Sequence, residues 1–218
     1  MKYNIMCGGI YTGFNQSVPK HLVTIKGERL VDRTIRLLRE RGITDICVTI
    51  SDRNLLPLFN SCDAEVLLYE GTTYIYNTSN RDEEGYWCDG FHDYGVPTCY
   101  IFGDVYFSEH CIDTIINTQT DDILFFGSAK PFAQNYIRTG VEPYGFKVVN
   151  RKKFFDSIKE FMRLQDAGKF WRKPIAWDLW AVIRGYPVEY DYFKKQTADI
   201  FGANYVPIYD YTTDVDHD

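Results

Sequence analysis

The first fifty residues constrain this chain most. A short apolar strand, KYNIM at 2–6, runs into Cys7-Gly8-Gly9, and the loop that follows closes on Pro19-Lys20. Across 28–41, Val31, Ile35 and Leu38 recur at helical spacing, with Arg29, Arg33, Arg36 and Arg39 mainly on other faces. Gly42 stands where a helix C-cap glycine belongs. The run DICVTI at 45–50 is β-branched and apolar, as a strand buried on both faces requires. Strand, loop, helix and strand make a βαβ unit, which predicts two parallel strands joined by a right-handed crossover.

The rest of the chain repeats the alternation. Strands are expected at 64–69, 98–102, 121–127 and 145–149, and a late edge strand at 205–209. Short helices are expected over 51–59 and near 87–92. Longer ones are expected over 109–117 with Ser108 as N-cap, over 151–164 with Asn150 as N-cap, and over 174–184 with Pro174 near the first turn. The polar stretch between residues 71 and 87 reads as a loop. The predicted fold class is α/β, a three-layer sandwich around a mostly parallel, mixed β-sheet, in one domain spanning 1–218.

Composition narrows the ligand. The chain has 218 residues, 45% of them hydrophobic, which is enough for a sizeable core. Its net charge is −6 with no basic stripe, so a nucleic-acid backbone is not an expected partner; a small anion needs only a local positive site. Cysteines 7, 47, 62, 88, 99 and 111 form no CxxC pair and do not cluster with histidine at ligand spacing, which predicts reduced, mostly buried thiols and no zinc. The N-terminus lacks the pattern of a signal peptide, and no run approaches the ~20 apolar residues of a membrane span. The expectation is a cytoplasmic protein that binds neither membrane nor nucleic acid, with the oligomeric state left open and a homodimer among the options.

In an open parallel sheet, ligands bind beyond the carboxyl ends of the strands. Gly8 and Gly9 lie at the end of the first strand, where a missing β-carbon lets backbone N–H groups approach a ligand. Lys20 adds a mobile cation suited to phosphate. The pattern is neither GxxxxGK[ST] nor GxGxxG. The succession GG, PKHL, I-x-G-x-x-L-V-x-R-T-I-x-L-L and G-I-x-D-I, followed by FGDVYF at 102–107 and more loosely DVD at 214–216, resembles the sugar-phosphate nucleotidyltransferases. That family has the Rossmann-like nucleotide-diphospho-sugar transferase fold. The resemblance covers about half of the chain.

The resemblance implies an enzyme that joins a nucleoside triphosphate to a phosphorylated small molecule, first of all a sugar 1-phosphate, releases pyrophosphate and uses Mg2+. It implies that Cys7, Gly8, Gly9, Lys20 and Gly103 surround the nucleotide and that Lys20 and Asp104 are catalytic. Asp104 becomes the first metal ligand, with Asp216 and then Asp214 completing the site. Asn77 and Asn80 become candidates for the base or sugar, and Glu142, Gly145 and Lys147 for the acceptor. Cytidine and uridine are the preferred bases. Asp178, alone among apolar residues, either faces the cleft or bonds a helix end, and Lys130 is a further candidate cation.

Blander roles stand beside these: turn formers for the asparagines, a strand entry with surface charges for Glu142 and Lys147, and a solvated tail for the last aspartates. One departure is plain. Relatives carry G-x-G-x-R, whereas this loop reads G-G-I-Y-T-G-F-N-Q and has no arginine. A glycosyltransferase of similar fold is a weaker alternative, because the mid-chain strand ends in a single aspartate rather than D-x-D. A nucleotide-binding module without chemistry is the other, supported by the missing arginine.

Overall fold

The computed structural model describes residues 1–8, 19–51, 53–68, 87–128, 142–170, 172–189 and 202–215. In chain order the strands and helices are β1 (Lys2–Met6), β2 (Thr24–Ile25), β3 (Glu28–Arg29), α1 (Leu30–Glu40), β4 (Ile46–Ile50), α2 (Leu56–Phe59), β5 (Glu65–Leu68), β6 (Thr98–Phe102), β7 (Val105–Tyr106), α3 (Glu109–Asn117), β8 (Ile123–Ser128), β9 (Pro143–Val148), α4 (Arg151–Asp166), α5 (Ala176–Ile183), β10 (Tyr205–Ile208) and β11 (Thr213–Asp214). Single 3-10 turns occupy Lys20–Leu22, Arg53–Leu55 and Trp87–Gly90.

Seven strands form one sheet in the order β10-β8-β9-β6-β1-β4-β5. The pairs β1/β4, β1/β6, β4/β5 and β8/β10 are parallel, while β9 runs antiparallel to both of its neighbours. Successive side chains of a strand face opposite sides, and the core divides accordingly. Tyr3, Ile5, Ile101 and Leu124 join Val31, Ile35 and Leu38 of α1 and Ile112 and Ile115 of α3 in one layer. Tyr100, Phe125 and Phe146 join Phe154, Ile158 and Phe161 of α4 and Trp177 and Trp180 of α5 in the other. This second layer is aromatic, with Phe125 and Phe146 stacked 4.4 Å apart between centroids. The expected three-layer α/β sandwich is therefore present.

Local chemistry explains most element ends. Ser108 Oγ accepts the Cys111 N–H and caps α3; Asn150 Oδ1 accepts the Lys153 N–H and caps α4. Gly42 follows α1 with φ 76°. Several boundaries shift by one or two residues, and two of the shifts have a plain local cause. The helix expected from residue 28 begins at Leu30, because Glu28–Arg29 pairs with Thr24–Ile25 around Lys26 and Gly27. Both turn residues have positive φ, 52° and 86°, as the favoured two-residue hairpin turn requires. The helix expected from Pro174 begins at Ala176, because Asp178 bonds back to the Ile175 N–H and fixes the start there.

Candidate functional site

The sheet order fixes where a crevice opens. From β1 the chain crosses through α1 to β4 on one side, while β6 lies against the other side of β1. The carboxyl ends of β1 and β6 therefore flank the switch in winding direction, the place where ligands lie in such sheets. Cys7 and Gly8 follow β1 there, and Gly103 and Asp104 follow β6.

These two turns are tied together through the backbone. Gly103 N–H donates to Met6 O at 2.9 Å, and Cys7 N–H donates to Thr49 O at 2.8 Å. Ser51 Oγ donates to Gly8 O at 2.6 Å, which anchors the start of the glycine loop on the segment after β4. A β-carbon on Gly103 would lie 2.4 Å from Cys7 Sγ and 2.9 Å from Met6 O. Glycine is required here because β6 closes onto β1. The buried Cys7 thiol is held well above its ordinary pKa, first by desolvation and next by the negative charge of nearby Asp104. It is an inert packing group beside the carboxylate.

The far end of the chain returns to this turn. β11 pairs antiparallel with β7, with Asp214 opposite Val105, and Val215 N–H donates to Asp104 O at 3.0 Å. Asp104 and Asp214 are thus brought into one neighbourhood from opposite ends of the sequence. Both are hard oxygen donors, and the neighbouring Cys7 thiol is buried with its pKa raised, which leaves it protonated and a poor ligand. Mg2+ takes few carboxylates and completes its shell with water and substrate phosphates, so this donor set fits that ion. Among the described residues, no group of three or more His, Cys, Asp and Glu is gathered as a metal site.

Lys20 opens the 3-10 turn that leads to β2. A right-handed crossover runs α1 antiparallel to its flanking strands, so α1 starts at the site end of the sheet. The turn meets that start, with Leu30 N–H donating to Val23 O at 3.1 Å. Beside Lys20, His21 is buried with its ring centroid 5.5 Å from that of Phe59, and burial alone lowers its pKa to about 3.

The proposed acceptor residues separate. Glu142 precedes β9 at the site end, joined to Ser128 by N–H to Oγ and by O to N–H contacts of 2.7 and 2.8 Å. Gly145 has a structural reason to lack a β-carbon, which would sit 2.3 Å from Tyr100 O. Lys147 does not reach the crevice. Because β9 is antiparallel, Lys147 pairs with Cys99 and Leu124 near the starts of β6 and β8. It is 3% exposed, and its ammonium donates to Ile116 O and Thr118 O at 3.0 and 2.8 Å, closing the end of α3. Asp178 takes the helix-end role: 5% exposed, it accepts the Ile175 N–H at 2.8 Å and an Arg172 contact at 2.7 Å. Gly9, Asn77, Asn80, Lys130 and Asp216 lie outside the described residues. Sequence reading missed the segment Asp210–Thr212 that carries β11; its only signal was an aspartate two residues before a threonine, the pattern of an Asx turn.

No protein-family model matches the chain, and no curated protein matches it in sequence. Solved structures do. The chain is similar to a 4-diphosphocytidyl-2C-methyl-D-erythritol synthase from Anaerococcus prevotii, with TM-score 0.54 and 9% identity over 99% of this chain and 91% of that one. It is also similar to the inositol-1-phosphate CTP transferase from T. maritima, with TM-score 0.48 and 14% identity over 73% and 74%. A third likeness is to the CTP:phosphocholine cytidylyltransferase from Streptococcus pneumoniae, with TM-score 0.44 and 13% identity over 99% and 93%. At these identities the likeness is one of fold. The chain shares the mixed, mostly parallel α/β fold of the first of these structures.

Proposed function

We propose that the protein is a nucleotidyltransferase that joins a nucleoside triphosphate to a phosphorylated small molecule, with a sugar 1-phosphate as the first candidate acceptor, and releases pyrophosphate. One observation carries this reading. The Gly103-Asp104 turn and the acidic strand β11 meet beside the start of the glycine loop, where Val215 N–H bonds to Asp104 O.

The acceptor phosphate is largely ionised at neutral pH, its second pKa being about 6, so it needs no general base. One of its oxygens forms a bond to the α-phosphorus, and the bond from that phosphorus to the bridging oxygen breaks. Pyrophosphate departs with the electron pair. The protein's part is to position and to neutralise charge. Gly8 lets the backbone approach the nucleotide, and Lys20 spreads positive charge over the phosphates. Asp104 and Asp214 would hold Mg2+, which when bound supplies neutralisation of the triphosphate. With no arginine in the glycine loop, Lys20 carries a larger share of the phosphate charge in this chain.

The test is pyrophosphate release with each of the four ribonucleoside triphosphates, Mg2+ and a panel of sugar phosphates, cytidine and uridine nucleotides first. One pairing should turn over, and Asp104→Ala should reduce kcat/KM by roughly a hundredfold or more. Release of nucleoside diphosphate from a sugar nucleotide would instead identify a glycosyltransferase. Nucleotide binding without turnover of any pairing would identify a binding module.

A further inference from the structure

We infer that Ser108, Asp210, Thr212 and Tyr144 form a clamp that holds β11 against the Gly103-Asp104 turn, and that they are positioning residues for the divalent cation; the inference rests on the reading proposed above. β11 has two residues and pairs with β7, which also has two. So short a ribbon is marginal by itself. The ribbon and the Val215 N–H to Asp104 O bond supply few hydrogen bonds, so side chains add to what fixes Asp214 beside Asp104.

Those side chains form a connected set. Asp210 Oδ2 accepts from Ser108 Oγ at 2.5 Å, and its Oδ1 accepts from Thr212 N–H at 2.8 Å. Thr212 Oγ1 accepts from Ser108 N–H at 3.0 Å, and Thr212 O accepts from the Tyr144 hydroxyl. The Ser108 hydroxyl is thereby a donor to Asp210 while it accepts the Cys111 N–H that caps α3. Ser108, Thr212 and Tyr144 are all buried. Buried hydrogen bonds of this kind support one another, and loss of one member exposes its partners to an unmet bond. The set spans the four residues after Asp104 and the four before Asp214, and Tyr144 adds β9. An N-cap needs none of this: Asn150 caps α4 with its own side chain alone. The additional bonds serve the C-terminal segment.

The experiment titrates Mn2+ against the full chain by electron paramagnetic resonance, without nucleotide, and follows amide exchange at Val215 relative to the β1 amides. Tyr144→Phe and Thr212→Val should each raise the Mn2+ dissociation constant roughly three- to tenfold and speed Val215 exchange by a similar factor. Asn150→Ala, which removes a cap of comparable strength far from β11, should lower the melting temperature and change neither quantity. The inference is overturned if the clamp variants melt lower yet keep Mn2+ affinity and Val215 protection, as a merely structural set would. A parent protein that binds Mn2+ neither alone nor with a nucleoside triphosphate added overturns the cation reading of the site. Val215 exchange separates that failure from failure of the clamp, because the variants accelerate it only if the clamp holds β11.

Discussion

His21 gives a pH dependence that can be worked out in advance. It lies next to Lys20, is 3% exposed, packs against Phe59, and its Nε2 has no hydrogen-bond partner among the described residues. Burial puts its folded-state pKa at about 3, against about 6.5 in an unfolded chain. Above the unfolded value both states are neutral and protonation contributes nothing to the stability difference. As the pH falls below that value, the unfolded chain takes up a proton that the folded chain refuses. Stability is then lost until the pH reaches the folded value. At about pH 5 the gap from the unfolded pKa is roughly 1.5 units, and at 1.36 kcal/mol per unit the loss is about 2 kcal/mol. Urea unfolding of the parent and of His21→Leu at about pH 7.5 and pH 5 isolates this contribution. Any constant effect of the leucine cancels in the difference between the two pH values. The parent should lose about 2 kcal/mol more than the variant on acidification. Parallel losses would show that His21 is protonated in place, and the argument from burial would fail.

Other expectations follow from single contacts. Gly103→Ala puts a β-carbon against Cys7 Sγ and Met6 O and should cost about 1–3 kcal/mol in thermal or urea unfolding. Adding Cys7→Ala should recover part of that, with a coupling of at least ~0.5 kcal/mol, and strict additivity would refute the packing account. Lys147→Met leaves Ile116 O and Thr118 O without their donor, a loss of about 1–3 kcal/mol. Its acceptor KM should be unchanged; a raised KM at parent stability would return Lys147 to the site. Asp178→Ala should cost about 1–2 kcal/mol through the lost cap at Ile175, again with steady-state constants unchanged once the folded fraction is accounted for.

Lys147 and Asp178 show where sequence reading stops. The βαβ opening was legible because each element had a strong local signal: Val31, Ile35 and Leu38 at helical spacing, Gly42 after them, and a fully buried ICVTI strand. Ser108 and Asn150 were legible as caps for the same reason, since capping is decided within four residues. Strand direction has no local signal. The run GFKVV reads alike in a parallel and an antiparallel strand, and only the pairing of Gly145 with Ile101 and Lys147 with Cys99 shows which end reaches the crevice. The two-residue strands β7 and β11 were invisible as well, because each exists only through its pairing with the other.

The candidate site divides along the same line. A parallel sheet gathers the carboxyl ends of its strands on one edge, so a glycine after a buried strand points to that edge wherever it falls in the sequence. This rule placed Gly8 at that edge without coordinates, and the family resemblance added Gly103 and Asp104. The reason for each glycine could not be read in this way. The resemblance put Gly103 beside the nucleotide and Gly145 beside the acceptor; in the fold, what comes close to their backbones is Met6 O and Cys7 Sγ in one case and Tyr100 O in the other. The same close approach bears on Asp104. Its turn is fastened to β1 through Gly103 N–H on one side and to the C-terminal segment through Val215 N–H on the other. A carboxylate carried on a turn anchored at both sides keeps its position without substrate. Under the function proposed above, a triphosphate and a second phosphate would meet around one cation, and that preorganisation would serve before either ligand arrives.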